Sequence, residues 1–587
     1  MLNVSGISNA SKKTVLFDSR NVKYKSPFGA VSTRRKVEIL FPVEETLNAN
    51  GVKLFLRRNS HCIEYELNRV GKENGYDLFV TDFVVERKGT YRYRFEIYSG
   101  EEILYCGKGK GGEAVIGEWL PEWQLSVYAS NYATADFIKG GVVYQIFVDR
   151  FCASGNAPEP RYGIKKNWTD DVTICDPDGK YRANDFFGGD FDGIISKLDY
   201  LKSLGVTALY LSPIFESFSN HRYDTGDYGK VDPFIGGEDG FERLIKKCDE
   251  VGIGIILDGV FNHTGSDSVY FNKFGHYPSL GAYQSKESPY YDWYTFYDYP
   301  DDYLCWWGCT NVPTISREAH GYHELIAGEG GVVERRLRQG VKGWRLDVVD
   351  ELSEFFVKKI RERIKKTDPN ALVLGEVWED ASTKYSYGEE REYFYGDDLD
   401  GVMNYVYKDA INAFVTGGSA DDFVETVLSI KENYPKDSLD TCFTLIGSHD
   451  TVRAINVYAG ACGDEMSKEE KRAYVLTEEQ YELGKKRMKL ASSLQYFLSG
   501  VPMVYYGDEA GMTGFEDPIN RRPYPWGKAD EELVAHYAYL GRLRSEYRAE
   551  FIKDADVFTE NDTVFITRGR IELAVNAKKI TYEIKIN

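Results

Sequence analysis

The spacing of apolar residues changes character at about residue 140. Before this point, apolar and polar residues alternate in short runs separated by Gly, Asn or Lys-Gly. Representative runs are KVEILF, GVKLFLRR, CIEYELNR, YDLFVTDFVV and TYRYRFEIYS. This alternation predicts an antiparallel β-sandwich over residues 1–125. The stretch that begins PEWQLSVY is predicted to connect it to the next domain.

From Gly141 onward, short apolar strands alternate with amphipathic helices. The predicted strands are VVYQIF, TALYLS, IGIILD, GWRLD, ALVLGEV, DGVMNY, TCFTLI and VPMVYY. Between them, apolar residues recur at helical spacing, as at Phe241, Leu244 and Cys248. Eight strands with intervening helices predict an α/β fold, a (β/α)8 TIM barrel over residues 139–535.

Two further regions accompany the predicted barrel. Residues 263–330 follow its third strand and are rich in Tyr, Trp and Gly, a composition unlike that of disordered segments. We expect them to form a subdomain beside the active site. Residues 540–587 have a short β pattern, which predicts a small C-terminal β domain.

The net charge of the chain restricts its partners. The formal charge is −20, from 72 Lys and Arg against 92 Asp and Glu. Nucleic acids and anionic membranes would be repelled, so we expect neither as a partner. A neutral polar ligand would not be repelled by the negative charge. The 44 Tyr, 32 Phe and 9 Trp residues offer flat rings for the apolar faces of sugars, although most such rings fill cores.

Cysteine usage and the N-terminal sequence favour a cytoplasmic location. Nine cysteines are few for 587 residues, and an odd number cannot all pair. The start, MLNVSGISNASKKTV, lacks the basic and then apolar segments of a signal peptide. No run of apolar residues is long enough to cross a membrane.

The segment 341–378 carries the strongest chemical signal. One predicted strand ends on Arg345 and Asp347, an amphipathic helix follows, and the next strand ends on Glu376. The carboxyl ends of parallel barrel strands share one face, where active sites are built. Two carboxylates with an arginine between them match the layout of glycoside hydrolysis. The alternative is that both acids merely cap strand ends.

Other predicted strands also end in polar clusters. His263 follows the third strand, and His449 and Asp450 follow the seventh. The loop after the second strand contains Tyr223 and Asp224. A single histidine usually has a structural role, but several beside carboxylates on one barrel face favour a binding site.

These segments together resemble the α-amylase family, glycoside hydrolase family 13. The matching segments are FFGGDFDGI, DGVFNH, GWRLDVVDEL, GEVW, SHD and GVPMVYYGDE, in this order along residues 140–530. The N-terminal sandwich, SHD and DPINRRP resemble the branch of neopullulanases, cyclomaltodextrinases and maltogenic amylases.

The resemblance implies catalytic roles for three acids. Asp347 would be the nucleophile, Glu376 the general acid and base, and Asp450 a group that holds sugar hydroxyls and distorts the ring. Two displacements give net retention, for which the two carboxyl groups lie about 5–5.5 Å apart. Arg345 would orient Asp347 and keep it ionised.

The resemblance also implies a set of substrate contacts. The residues concerned are Tyr223, His263, Arg345, His449, Trp378, Asp517 and Arg521. The histidines would hydrogen-bond hydroxyls of the sugar on which Tyr223 stacks, and Trp378 would line the leaving-group side. Asp517 and Arg521 resemble a pair at the next sugar, with a surface ion pair as the alternative.

No cofactor is expected to be required, but the resemblance raises calcium. Its candidate ligands are Asn156, Gly189 and Asp190. The loop after the first strand offers few other oxygen ligands, which hard cations need in number. A zinc site at Cys305 and Cys309 with nearby histidines is a further alternative of loose spacing.

The sequence and the resemblance together predict a retaining hydrolase of α-1,4 bonds in maltodextrins, cyclomaltodextrins or pullulan. Amylopullulanase or α-1,6-debranching activity and transglycosylation are alternatives within the family. A non-catalytic carbohydrate-binding scaffold is the alternative outside it. The expected partners are α-glucan oligosaccharides, and a homodimer is an arrangement seen in the branch.

Overall fold

The computed structural model describes residues 14–176 and 180–587. The chain divides into two compact units. One contains the residues up to Tyr132 together with Ser429–Lys436, and the other contains Ala133–Leu428 together with Asp437–Asn587.

The first unit is built on a ten-stranded sheet among the described residues. Its strands are Lys25–Ser26, Val31–Ser32, Lys36–Glu44, Gly51–Arg58, His61–Glu73, Tyr76–Val84, Gly89–Ser99, Glu102–Lys108, Ala114–Ile116 and Trp123–Tyr128. Neighbouring strands are antiparallel, except that Trp123–Tyr128 runs parallel to Val31–Ser32. The long strand His61–Glu73 pairs with Gly51–Arg58 through its first half and with Tyr76–Val84 through its second half.

The two halves of this sheet enclose one hydrophobic core, as the alternating pattern predicts. In Lys36–Glu44, Val37, Ile39 and Phe41 are buried and the residues between them face outward. Phe41 stacks on Phe95 of a strand from the opposite half, with 4.2 Å between ring centroids. The predicted β-sandwich is therefore confirmed, with both layers formed by a single sheet.

One predicted connection is instead part of the sheet. Trp123–Tyr128 pairs along its length with Gly89–Tyr93 and is almost entirely buried. Its indole is fully buried, and Trp123 Nε1 donates to Gly112 O at 2.8 Å. Its apolar residues alternate with Gln124 and Ser126, but the pattern is only six residues long, which is why this strand resembled a linker in the sequence.

The second unit contains a closed barrel of eight parallel strands, as predicted. In order around the barrel these are Val143–Ile146, Ala208–Leu211, Gly254–Gly259, Gly343–Leu346, Leu372–Val377, Gly401–Asn404, Phe443–Thr444 and Val501–Tyr505. We refer to them as the first to the eighth barrel strand. They are buried throughout, which explains why their sequences are apolar runs rather than alternating ones.

Helices connect the barrel strands. Their bounds are Val148–Phe151, Phe191–Ile195, Leu198–Ser203, Gly237–Glu250, His320–Ala327, Val332–Gln339, Glu354–Thr367, Tyr405–Val415, Ala420–Asn433, Lys436–Leu439, Ala454–Tyr458, Lys468–Ala473, Glu478–Phe497, Glu531–Glu546 and Arg548–Ile552. No helix of the described ranges is both long and apolar enough to cross a membrane.

The helix between the fourth and fifth strands shows how the sequence sets these elements. The Ser353 side chain accepts a hydrogen bond from Phe356 N at the helix start, a cap that contributes about 1 kcal/mol. Phe356, Ile360 and Ile364 form its buried face. The helix ends before Asp368-Pro369, which cannot continue it.

The insertion after the third strand is held together by aromatic rings. Phe271 contacts Tyr294 and Tyr303 with centroid distances of 4.9 and 4.7 Å. A small antiparallel pair, Phe296–Asp298 with Asp302–Tyr303, lies within it. At the end of the chain, four antiparallel strands pair in sequence order, and they are Ala555–Glu560, Thr563–Arg568, Ile571–Asn576 and Thr581–Ile586.

Candidate active site

A cleft of about 840 Å³ lies where the barrel strands end. The predicted residues that line it are Tyr223, His263, Asp347, Glu376, Trp378, His449, Asp450, Asp517 and Arg521. Arg345 is fully buried beneath them. The structure thus brings together all the residues for which the sequence predicted a role with the sugar.

Arg345 is the centre of the cleft floor, the name we give to Asp258, Arg345, Asp347 and Glu376. Its Nη1 donates to Asp347 Oδ1 at 2.6 Å and to Asp258 Oδ1 at 2.7 Å. Its Nη2 lies 2.8 Å from Glu376 Oε2. Strand register explains the convergence, because Arg345 pairs with Asp258 across the third and fourth strands and Asp347 follows two residues later on the same face.

Glu376 is fixed by two donors from the chain itself. Its Oε2 accepts from Val348 N at 2.8 Å, and its Oε1 accepts from Trp378 Nε1 at 3.1 Å. The Trp378 ring stacks on Tyr405 with 3.9 Å between centroids. Val348 has φ 38°, a left-handed conformation that costs energy for a β-branched residue and persists only when its surroundings impose it.

The floor holds more acidic groups than its arginine can neutralise. Burial raises the pKa of Asp347 well above its ordinary value, with Arg345 acting against this and the charges of Glu376 and Asp258 adding to it. Burial likewise raises the pKa of Asp258, again opposed by Arg345. Asp347 and Asp258 therefore favour a state in which they share a proton.

Tyr223 and His449 form a polar network beside the floor. Tyr223 OH donates to Asp258 Oδ2 at 2.8 Å and lies 2.5 Å from His449 Nε2. The other ring nitrogen of His449 lies 2.8 Å from Gln145 Nε2. Burial lowers the pKa of His449 well below its ordinary value, so the ring is neutral at pH 7. His449 Nε2 is also 3.2 Å from Asp450 Oδ2.

His263 also lines the cleft. Its Nε2 lies 3.1 Å from Tyr223 O, and its ring faces Trp306 with 5.7 Å between centroids. Burial lowers the pKa of His263 to about 4. A neutral imidazole presents one donor and one acceptor, which suits hydrogen bonds to neutral hydroxyls.

Arg521 joins Asp450 to Asp517. Its Nη1 lies 2.9 Å from Asp517 Oδ1 and its Nη2 lies 3.5 Å from Asp450 Oδ1, while Nε donates to His449 O at 3.1 Å. The arginine is buried, so this is not the exposed surface pair of the alternative interpretation.

Several residues that support the site residues were not predicted from the sequence. Tyr210 OH donates to Asp258 Oδ2 at 2.6 Å, Gln145 contacts His449, and Tyr405 stacks under Trp378. Tyr210 and Gln145 are polar groups inside otherwise apolar barrel strands. A buried polar group needs a partner, so this exception in an apolar run was the available signal.

The residues proposed for calcium do not form an oxygen cage. Asp190 accepts hydrogen bonds from Gly193 N at 2.7 Å and from Ser154 Oγ at 2.5 Å, and it caps the helix Phe191–Ile195. Gly189 allows close packing, because a Cβ there would lie 2.1 Å from Val148 O. Asn156 donates its backbone N to Ser154 Oγ. A single capping carboxylate does not suit a cation that needs several oxygens.

The zinc alternative has no support in the described part of the chain. No group of three or more His, Cys, Asp or Glu within residues 14–176 and 180–587 is placed to hold a metal ion. His323 instead stacks on Phe356 with 4.2 Å between centroids.

The chain matches the family described as alpha amylase, catalytic domain, over residues 145–321 and 323–578. An amylopullulanase of Thermoanaerobacterium saccharolyticum is 32% identical over 608 residues, covering 94% of this chain and 46% of that protein. The chain therefore spans less than half the length of this curated relative.

Two further similar proteins are matched over most of their length. A cyclomaltodextrinase of Geobacillus thermopakistaniensis strain MAS1 is 32% identical over 513 residues, covering 84% of this chain and 78% of that protein. The solved type III pullulan hydrolase from Thermococcus kodakarensis shares the fold, with TM-score 0.66 and 24% identity over 96% of this chain and 94% of that one. The resemblance stated from the motifs is confirmed, and the chain belongs to the α-amylase family.

Proposed function

We propose that this protein is a retaining glycoside hydrolase that cleaves α-1,4-glucosidic bonds of maltodextrins, cyclomaltodextrins or pullulan. One observation carries the proposal. Asp347 and Glu376 converge on the single buried guanidinium of Arg345, at distances of 2.6 and 2.8 Å, and both face the cleft. Two acids that share one guanidinium lie close to each other, as the short carboxyl separation of the retaining arrangement requires.

In the first displacement, Asp347 attacks the anomeric carbon while Glu376 gives its proton to the leaving glycosidic oxygen. The covalent glycosyl–enzyme ester forms as the glycosidic bond breaks. Arg345 holds Asp347 Oδ1, and we assign the attack to Oδ2. Burial of the floor keeps these groups out of bulk water, which strengthens their electrostatic interactions with the transition state.

In the second displacement, Glu376 takes a proton from water and the resulting hydroxide displaces Asp347 from the anomeric carbon. The two inversions restore the original α configuration. When a sugar hydroxyl replaces water, the same step gives transglycosylation.

The walls of the cleft bind the sugar that undergoes cleavage. Asp450, His263 and neutral His449 offer donors and acceptors to its hydroxyls, and Tyr223 offers a ring for stacking. Arg521 keeps Asp450 oriented, so that its hydrogen bonds tighten as the ring flattens toward an oxocarbenium ion.

Amylopullulanase or α-1,6 activity is the second candidate. The match to the amylopullulanase extends over 94% of this chain and 46% of that enzyme. The two linkages share the same floor chemistry, and the walls of the cleft decide between them.

We also infer a cytoplasmic location, a homodimer, and activity without a metal cofactor. All nine cysteines are free, four of them buried, which suits a reducing compartment. Size-exclusion chromatography with light scattering tests the dimer, and turnover with and without chelator tests the independence from metal.

Product analysis tests the proposed function. The purified protein is incubated with maltotriose, β-cyclodextrin, pullulan and soluble starch, with Asp347→Asn as the inactive control. Panose from pullulan establishes α-1,4 cleavage, whereas maltotriose establishes α-1,6 cleavage. NMR of the first product should show the α anomer. If no substrate is cleaved while wild type and Asp347→Asn bind maltotriose equally, the protein is a binding scaffold and the proposal fails.

A further inference from the structure

Three large aromatic rings stand exposed at the edge of the cleft, and we call them the aromatic rim. They belong to Trp307, Tyr385 and Tyr387, whose exposed fractions are 82, 66 and 60%. All three line the same cleft as Asp347 and Glu376. Rings of this size are normally buried when they serve packing, so a cluster of exposed ones beside a cleft indicates a binding surface.

The rim is assembled from two separate segments by one carboxylate. Trp307 belongs to the insertion after the third strand, and Tyr387 to the loop after the fifth. Glu351, in the loop after the fourth strand, accepts from both. Its Oε1 receives Trp307 Nε1 at 3.2 Å and its Oε2 receives Tyr387 OH. The Arg317 guanidinium lies 4.9 Å from the centroid of the Tyr387 ring.

Tyr385 and Tyr387 lie in a short hairpin, residues 385–390, that is anchored by buried contacts. Arg391 is almost fully buried and donates to Ser386 Oγ at 2.6 Å. The same guanidinium donates to Asp350 O at 2.6 Å and to Leu352 O at 3.0 Å. Lys384 pairs with Asp350 Oδ2 at 2.9 Å. The short hairpin is thus fixed to the loop after the fourth strand, and its rings are held in place before any ligand arrives.

Two of the rings sit on unusual backbone. Trp307 has φ 50° and Tyr387 has φ 52°, in the left-handed region that bulky residues seldom adopt. Each such residue costs of order 1 kcal/mol or more, and residues of this kind concentrate at binding sites. In both residues, the unusual backbone conformation accompanies a side chain that is exposed at the cleft edge.

We propose that the aromatic rim is a glucosyl-binding subsite that holds a sugar of a longer α-glucan, beyond the sugars that contact the cleft floor. The rings give flat apolar faces without a net charge, which suits the apolar face of a pyranose. Lys384 pairs with Glu379, the neighbour of Trp378, so the base of the hairpin lies beside the tryptophan that contacts Glu376. The identification of the ligand as an α-glucan rests on the proposed function, whereas the location of the subsite does not.

A rim subsite makes binding depend on chain length. We expect maltotriose to occupy the sites around the floor, whereas maltoheptaose carries further glucosyl units that can also reach the rim. Loss of one ring should therefore weaken the longer ligand by about fivefold to tenfold and leave the shorter one unchanged.

Binding to an inactivated enzyme tests this directly. In the full chain carrying Glu376→Gln, calorimetry gives Kd for maltotriose and maltoheptaose before and after Trp307→Ala. Tyr387→Ala repeats the test from the other segment and guards against a local folding defect. Tyr297→Ala is the matched control, since Tyr297 is 66% exposed in the same insertion and is not among the residues lining the cleft.

The expected result is a higher Kd for maltoheptaose alone in both rim variants, with both Kd values unchanged in the Tyr297→Ala control. Equal losses for both ligands, or no loss for either, would overturn the subsite. Failure of the proposed function is separately visible as absence of turnover by wild type, because these Kd values do not depend on catalysis.

Glu351 is a positioning residue in this proposal. In the active enzyme, Glu351→Ala should raise KM for maltoheptaose about fivefold with kcat for maltotriose unchanged. Glu351→Gln keeps one acceptor oxygen and should restore part of the loss. A fall in kcat on both substrates would show instead that Glu351 supports the floor, and the rim assignment of this residue would be wrong.

Discussion

The cleft floor and the aromatic rim are built on opposite physical principles. The floor consists of charged groups that are buried at the ends of barrel strands, with Arg345 fully excluded from solvent. The rim consists of uncharged rings on loops, with Trp307 82% exposed. Charge that has to act on a reacting bond needs a low-dielectric setting and fixed geometry, whereas recognition of a distant sugar needs only an accessible surface held in place.

The floor and the rim should also differ in how much they contribute to the free energy of folding. Removing one partner of a buried charge network leaves the others without compensation and costs several kcal/mol, about 3–5 in typical cases. Removing an exposed ring changes the free energy of folding little and alters only what the surface binds. Variants of the floor and of the rim should therefore differ in both activity and stability.

The largest expected effect is on the floor. Asp347→Asn removes the nucleophile and should lower kcat on every substrate by about 10⁴-fold or more. The substitution is nearly isosteric, so circular dichroism should report an unchanged melting temperature within a few degrees. Activity on maltotriose above about one hundredth of wild type would place the nucleophile elsewhere.

Arg345→Met should affect both stability and activity. The side chain keeps much of its volume, but Asp258, Asp347 and Glu376 lose their shared cation. We expect the free energy of unfolding to fall by about 3–5 kcal/mol at pH 7 in urea titrations. Trp307→Ala provides the contrast, with a change within about 0.5 kcal/mol. Similar losses in the two variants would contradict the distinction between floor and rim.

The pH dependence of kcat/KM should separate the two regions again. Asp347 has to be ionised to attack, so activity falls as pH decreases through the pKa of Asp347. The charge of Asp258 helps to raise that pKa. Asp258→Asn should therefore move the acid limb to lower pH, by about one unit. Trp307→Ala should leave the limb where it is, and a shift in the rim variant would link the ring to the ionisation of the floor.

The last prediction concerns stability rather than activity, in the loop after the fifth strand that carries Tyr385 and Tyr387. Burial raises the pKa of Asp398 from 3.8 to about 7, so the folded state holds a proton that the unfolded chain has already released. Its contribution to stability is complete below about pH 4 and is lost as pH rises through 7. Asp398→Asn should flatten this dependence and raise the melting temperature at pH 8 relative to wild type. An unchanged difference between pH 5 and pH 8 would exclude Asp398 as its source.

The sequence predicted the floor because strand ends are readable in it. Short buried strands end in sudden polar residues, and a parallel barrel gathers such ends on one face, so Asp347, Glu376 and Asp450 could be placed together. Their support was harder to see. Tyr210 and Gln145 lie within apolar strands, and their partners are distant in the chain.

The rim could not be predicted for a related reason. Loops have no hydrophobic period, so nothing in the sequence shows that Trp307 and Tyr387 approach the same carboxylate. The strand Trp123–Tyr128 was missed because its alternating pattern is only six residues long. Asp190 was a calcium candidate by resemblance alone, and its contacts as a helix cap could not be predicted from the sequence.

The left-handed Val348 has a consequence for engineering. It lies between Asp347 and the turn Val349–Glu351, so five consecutive residues supply a floor acid, a hydrogen-bond donor to Glu376 and the carboxylate that joins the rim. Any change of length in this segment would disturb bond cleavage and chain-length preference together. A change in the hairpin at residues 385–390 would alter the chain-length preference alone. Product size is therefore better redesigned from the hairpin side, where the chemistry of the reaction is left intact.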